Sequence, residues 1–288
     1  MAKIKYKDWN FRNDSLERIA QINAILDDYV EQEYTVTLRQ LYYQLVSKNI
    51  IANSKNEYTN LSNLLKNGRN AGLVDWDCII DITRNVRTLS HWDSPSKIIE
   101  AAAEQYHRDL WETQPYYLEN WVEKDALLGV VEKASHRYDV SCFSCHGYGS
   151  ATAYRERAEC IIDKNEDGKK CIILHLGDCD PSGEDMTRDI QEKMTLYRAN
   201  VQVRRIALTR VQIEQYKLPP QPAKKTDSRF KEYEQKHGAS SWELDALEPR
   251  VLDKLITDSI LEYLDIDLFE QVKFRQEQER KQLIALAG

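Results

Sequence analysis

The residues best suited to chemistry lie in one stretch, Leu174-His175-Leu176-Gly177-Asp178-Cys179-Asp180-Pro181-Ser182-Gly183-Glu184-Asp185. An apolar run over 171–176 fits a buried strand, and two carboxylates one residue apart stand where it ends. Ser182, with Asp185 three residues on, reads as a helix N-cap. Open α/β sheets bind ligands just beyond the carboxyl ends of their strands. Two like charges this close ionise together only at a cost, unless a cation shares them. Oxygen donors in this number suit Mg²⁺, with Mn²⁺ able to replace it. The same letters also satisfy a plain acidic turn before a helix. A second apolar run, 118–122, ends in Glu123-Lys124-Asp125. Alone, such an acid complements a helix macrodipole. Beside Asp178 and Asp180, Glu123 becomes a third metal ligand or a general acid/base in one crevice.

A different chemistry is offered further towards the N-terminus. Thr37-Leu38-Arg39-Gln40 is a capping box, and the helix it opens runs to about residue 48. Leu38, Leu41, Tyr42 and Leu45 form its apolar stripe. Arg39 and Tyr43, four apart, share a position off that stripe. The expectation is therefore that Tyr42 is core and that Tyr43 points outward beside a cation. The next helix, 56–70, turns Tyr58, Leu61, Leu64 and Leu65 inward. Its other face carries Asn63, Lys66, Asn67, Arg69 and Asn70 and is nearly free of acids. Asn, Lys and Arg are the side chains that reach base edges and phosphates, so DNA contact is expected there. The charge balance agrees locally. Between residues 34 and 72, Arg39, Lys48, Lys55, Lys66 and Arg69 oppose Glu57 alone, although the chain carries −7 overall. A polyanion can bind such a patch on an acidic protein.

These side chains need a frame. Asp14 with Glu17 marks a first helix with Leu16, Ile19, Ile22, Leu26 and Tyr29 at helical spacing. Val74, Trp76, Cys78, Ile80 and Ile82 alternate as in a half-buried strand. Three helices followed by strand material is the order of a winged helix. Residues 85–96 read as a linker, and Ser94-Pro95 opens a helix to about 111. Strands at 116–122, 139–145, 170–176 and 200–207 then alternate with helices at 125–136, 151–161 and 183–197. That alternation predicts an α/β fold with a mostly parallel sheet covered on both faces. Leu218-Pro-Pro-Gln-Pro222 interrupts it, and helices follow to the C-terminus. Glu243 and Asp245 could join a metal site, but they read better as a capped helix start. A charged last helix, from about residue 268, reads as a tail or a partner contact. The expected domains are 1–90, a linker helix at 91–115, 116–215, and a C-terminal helical extension at 216–288.

Composition narrows the class. No run of about 18 apolar residues exists, so no membrane span is expected. The lysine-rich N-terminus has no apolar signal segment. A cytoplasmic, nucleoid-associated protein with six free thiols is expected. Cys142-Phe-Ser-Cys145-His146 has haem-attachment spacing but reads as a buried strand entering a turn. A zinc site is not expected either, because no second Cys/His pair has ligand spacing.

Glu123 after one strand, the Gly turn His146-Gly147-Tyr148-Gly149, and Asp178-x-Asp180 after a later strand together resemble a Toprim domain. With Arg39-Gln-Leu-Tyr42-Tyr43 ahead of it, the chain over residues 35–210 resembles the topoisomerase VI A subunit and the related meiotic double-strand-break protein. The stand-alone topoisomerase mini-A group is nearest in size. The resemblance implies a winged helix followed by a Toprim domain, with Tyr43 as nucleophile and Arg39 beside it. It also implies Glu123, Asp178 and Asp180 around Mg²⁺, and a homodimer in which the tyrosine of one chain works at the metal of the other. The implied reaction is DNA cleavage leaving a 5′-phosphotyrosyl link. Family topoisomerases take ATP dependence from a separate ATPase subunit, which is not fused here. Three alternatives stay open: a hydrolytic nuclease using only the three carboxylates, a non-catalytic DNA-binding protein, and a primase-like polymerase, the last without zinc-ribbon cysteines.

Overall fold

A computed structural model describes residues 3–80, 89–145 and 150–286. The expected Gly turn at 146–149 lies outside them, as does the last part of the strand expected over 74–82.

Three helices come first: α1 (Asn13–Glu31), α2 (Leu38–Ser47) and α3 (Lys55–Asn70). The α1 cap position falls on Arg12, which makes no side-chain cap bond, and Asp14 sits in the first turn instead. The capping box forms at α2, where Thr37 and Gln40 each satisfy the other's backbone N–H. Ile19, Ile22, Leu26, Leu41, Leu45, Leu61 and Leu65 bury against one another in this helical layer. Extended structure over 74–80 is confined to one bridge between Val36 and Ile79. The alternation misled because side chains take the backbone groups that a strand would use. The Arg69 guanidinium donates to the carbonyls of Trp76 (3.0 Å) and Ile79 (2.5 Å). Asp75 accepts the Asp77 N–H at 2.8 Å, in an Asx turn.

Ser94 caps α4 (Pro95–Gln105), which ends before the expected 111. The sheet follows: β1 (Tyr116–Val122), α5 (Leu128–His136), β2 (Ser141–Ser144), α6 (Ala151–Glu166), β3 (Lys170–Leu176), α7 (Pro181–Leu196) and β4 (Val201–Ala207). Its order is β2-β1-β3-β4, and every pair is parallel. Val122 is level with Leu176, and Leu176 with Ala207, so β1, β3 and β4 end together. Alternate residues go to opposite faces, and both are covered. Leu118, Val122, Ile172, Leu174 and Leu176 join Val130 and Val131 of α5 and, from α10 (Pro249–Leu261), Leu252 and Ile256. Trp121 and Ile173 join Tyr154, Ile161, Met186 and Ile190 of α6 and α7. Between β4 and α10 the chain forms α8 (Arg210–Tyr216), β5 (Gln221–Pro222), α9 (Phe230–His237) and β6 (Ser240–Ser241), with β5 and β6 paired over two residues. The charged α11 (Ile266–Ala285) buries Phe269, Val272 and Gln276 and lies along α4. All six cysteines are free. No helix among the described residues is long and apolar enough to cross a membrane.

One buried ion pair fixes the face under α6. Glu119 is 1% exposed and accepts from Trp121 Nε1 (2.7 Å), the Tyr117 hydroxyl (2.8 Å) and the Arg157 guanidinium. Arg157→Met strands that carboxylate in the interior, and such a loss costs about 3–5 kcal/mol. Urea unfolding should show it as a lower midpoint at unchanged slope. A change below about 1 kcal/mol, the range of a surface pair, would contradict this role.

Candidate active site

Glu123 follows β1 directly. Its N–H donates to the Leu176 carbonyl at 2.9 Å, which carries the β1–β3 ladder one residue past the strand. The turn after β3 is held in the same way, with Gly177 N–H on the Ala207 carbonyl (2.9 Å) and Leu208 N–H on that of Gly177 (2.8 Å). Asp178 N–H then donates to Glu123 Oε2 at 2.9 Å. Asp180, not Ser182, caps α7: its Oδ1 accepts the Gly183 N–H at 2.7 Å, and Pro181 takes the first helical position. A Cβ on residue 183 would overlap the Asp178 carbonyl oxygen and lie 3.0 Å from Glu123 Oε2, so this close approach requires glycine. The three predicted acids are thus neighbours around the first turn of α7.

Arg205 of β4 holds the turn from the other side. Its guanidinium donates to the carbonyls of Gly183 (2.7 Å), Gly177 (3.0 Å) and Asp178 (2.6 Å). His175 is fully buried beside it, with Nδ1 2.9 Å from the Thr187 hydroxyl. Burial, with Arg205 nearby, pushes its pKa down to about 3, so the ring is neutral.

The structure brings to the site Glu243 and Asp245, which the sequence read better as a helix start, and Lys124. Cys179 and Trp242 form a two-way backbone bridge, 2.9 Å in each direction. That bridge lays the next residues against Asp178, whose Oδ1 accepts the Leu244 N–H at 2.8 Å. Glu243 and Asp245 therefore adjoin the site as well as opening a short 3₁₀ turn, Leu244–Ala246, where Glu243 takes the cap position without a side-chain cap bond. Lys124 Nζ stands among the acids, 2.6 Å from Asp178 Oδ2, 3.2 Å from Asp245 Oδ2 and in contact with Glu243. Arg39 reaches the same group at 3.3 Å from both Asp245 and Glu243.

Tyr43 does not point outward. It is 9% exposed, with the Arg39 guanidinium 5.6 Å from its ring centroid. Helix α2 is covered on more than its apolar stripe: Gln40 and Gln44 are buried too, and Gln44 donates to the Leu247 carbonyl at 3.2 Å. Nor does Arg39 favour the phenolate on balance. Burial, then the Glu243 charge, hold the Tyr43 hydroxyl above its usual pKa despite Arg39 and Lys124.

On α3, Asn63 and Lys66 are exposed and Asn67 is half-buried. Arg69 is committed to the Trp76 and Ile79 carbonyls. The Asn70 amide donates to the Lys66 carbonyl at 2.9 Å. The last two thus secure the helix end instead of facing a ligand.

Charge in the site is unbalanced. Five acids, Glu123, Asp178, Asp180, Glu243 and Asp245, stand with three cations, Lys124 and Arg39 on one side and Arg205 beside Glu123 on the other. Burial penalises the Lys124 ammonium, but Asp178, Asp245 and Glu243 outweigh it and keep it charged. Burial raises Asp178 well above the carboxylate range, and Lys124 offsets only part of that. Burial also raises Glu123, against its bond from Asp178 N–H, while the Asp180 charge adds to the rise. Glu243 is penalised by burial yet ends below its usual value through Lys124 and Arg39. Asp245 Oδ1 is buried with no hydrogen-bond partner among the described residues.

Among the described residues, no three His, Cys, Asp or Glu side chains are grouped ready to hold a metal, and Asp178 is committed to Lys124. Glu123 and Asp180 adjoin one helix turn, and a cation there would favour the charged form of Glu123 against the burial that raises its pKa.

Set against known protein families, curated proteins and solved structures, the chain matches none. The geometry must carry the functional reading.

Proposed function

We propose that this chain is a divalent-metal-dependent DNA-cleaving enzyme, built as its resemblance to the topoisomerase VI A subunit implies, with a winged-helix-like first part and a Toprim domain. What supports the reading is that Glu123, Asp178 and Asp180 stand beyond the ends of adjacent parallel strands, Glu123 on the Asp178 N–H and Asp180 on the Gly183 N–H, with α2 bringing Arg39 to Asp245 and Glu243 and Tyr43 beside Arg39. Glu123 and Asp180 would hold Mg²⁺ or Mn²⁺, joined by Asp178 when Lys124 releases it. The ion would polarise the scissile phosphate and neutralise the leaving 3′ oxygen. Arg205 keeps the acids in place through three carbonyls. Lys124 and Arg39 supply positive charge where a phosphate would approach. Tyr43 would lose its proton to water and bond to phosphorus, retaining the 5′ phosphate as the P–O3′ bond breaks and the 3′ oxygen takes up a proton from water. The partners on this reading are DNA, a second copy of the chain and a separate ATPase-type subunit.

A second reading, hydrolysis without a covalent intermediate, is favoured by the burial and raised pKa of Tyr43. Plasmid cleaved with Mg²⁺ and denatured with detergent separates the two. A 5′ terminus attached to protein, and lost in Tyr43→Phe, supports the covalent route. Free 5′ phosphates made equally by Tyr43→Phe support hydrolysis. No Mg²⁺-dependent cleavage by the wild type would overturn both.

A further inference from the structure

The N-terminal segment, α1 and α3 line an open surface cavity of about 370 Å³, away from the acid cluster. The size is within the range of small-ligand sites, about 300–1,000 Å³. Trp9 and Phe11 form one wall, their ring centroids 6.3 Å apart. The opposite wall is α3, whose Asn60, Asn63 and Asn67 recur at helical spacing and face the cavity together. None of these three carboxamides makes a side-chain hydrogen bond among the described residues. Arg18 of α1 also lines the cavity and has no carboxylate at ion-pair distance among the described residues.

The indole wall is held in place rather than trailing. Lys5 bridges Ala71, and the Tyr6 and Lys7 N–H groups donate to the Asn70 carbonyl at 2.8 and 2.9 Å. Tyr6 stands edge-on to Trp76 at 5.8 Å. Trp9 nevertheless remains 45% exposed, with Lys7 Nζ 5.3 Å from its ring centroid. The segment mixes cations (Lys3, Lys5, Lys7, Arg12) with aromatics (Tyr6, Trp9, Phe11), and Asp8 pairs with Lys5.

We infer that this cavity receives one unpaired base of a DNA strand. The Trp9 indole, half exposed, offers a stacking face that every base can use, with the Phe11 ring tilted 43° beside it. Free carboxamides provide paired donors and acceptors for a base edge. An unpaired guanidinium suits the adjoining phosphate. Two acids, Asp14 and Glu57, also line the cavity. They can accept from exocyclic amino groups but disfavour a second phosphate, which fits one base and not a run of backbone. The site would therefore prefer single strands, ends or flipped bases over intact duplex.

The test uses the full chain and two fluorescein-labelled oligonucleotides, a single-stranded 12-mer and its duplex, read by anisotropy. A third single strand carries 2-aminopurine. The wild type should bind the single strand at least tenfold tighter than the duplex and quench 2-aminopurine. Trp9→Ala and the double variant Asn63→Ala/Asn67→Ala should each lose that preference about tenfold or more, while Trp9→Phe retains the quenching. Lys66→Ala should weaken both oligonucleotides alike. Thermal unfolding of each variant shows whether it is folded, and the Trp9→Phe arm separates loss of stacking from loss of structure. Equal binding of single strand and duplex by the wild type would overturn the inference, as would a single-strand preference untouched by Trp9→Ala and the Asn pair. Binding of free dAMP as tight as the 12-mer would also overturn it in favour of a mononucleotide site. Because these readouts need neither Mg²⁺ nor cleavage, they stand apart from the acid cluster.

Discussion

Glu123→Gln should lower Mg²⁺-dependent DNA cleavage by about a thousandfold while leaving the protein at least as stable as the wild type at pH 7–8. The amide keeps an oxygen to accept the Asp178 N–H, now at 2.9 Å on Glu123 Oε2, so the turn stays in place. What disappears is the negative charge. On the proposed reading that charge helps hold a divalent ion, whose stabilisation of the transition state is worth several kcal/mol; about 4 kcal/mol is roughly a thousandfold. Stability moves the other way. The folded-state pKa of Glu123 is raised, chiefly by burial, so its favourable contribution is complete below the unfolded value of about 4.5 and is lost as pH rises. Glutamine avoids that loss. The melting temperature of the variant should therefore equal or exceed that of the wild type at neutral pH, and the gap should close towards pH 4. A variant that is inactive and also less stable at pH 7–8 would show that Glu123 serves the fold.

Lys124→Met should be the most destabilising change in the site. Nζ contacts Asp178, Glu243 and Asp245 with only 16% of the side chain exposed, so its loss leaves three acids to share Arg39. Removing one partner from a buried ionic group costs about 3–5 kcal/mol. The sign of the pH dependence follows from Glu243. Its folded pKa is depressed, so its contribution is present above the unfolded value of about 4.5 and lost as pH falls. The deficit of the variant should be largest at pH 7–8 and shrink as pH falls below about 4.5. Mg²⁺ should stabilise Lys124→Met more than it stabilises the wild type, because the acids then lack their resident cation. Urea midpoints at pH 8 and pH 4, with and without Mg²⁺, measure all of this. A deficit independent of pH would assign Lys124 a packing role.

The sheet was legible because each parallel strand is an apolar run buried on both faces, and the acids mark where those runs stop. The capping box at Thr37 and the cap at Ser94 were legible because their signals are local. What escaped the sequence depends on distant contacts. Glu243 and Asp245, which the sequence offered as possible site members but favoured as a helix start, reach the site through the backbone bridge between Cys179 and Trp242, which leaves no mark in residue types. Tyr43 was assigned outward on the assumption of a single buried stripe, but α2 buries every residue from Gln40 to Val46. Lys124 reads as an ordinary charge after a strand until three acids from two parts of the chain surround it. Over 74–80 the alternation was real, yet Arg69 and Asp75 claimed the backbone groups that a strand needs.

The central claim, that Glu123 and Asp180 create a site for a divalent ion beside Asp178, is reached most directly by titrating Mn²⁺ into the full chain and counting free ion by electron paramagnetic resonance. The account predicts saturable binding of Mn²⁺ by the wild type, competed by Mg²⁺ and weakened at least tenfold in both Glu123→Gln and Asp180→Asn. Binding that is absent from the wild type, or equally strong in all three proteins, would contradict it.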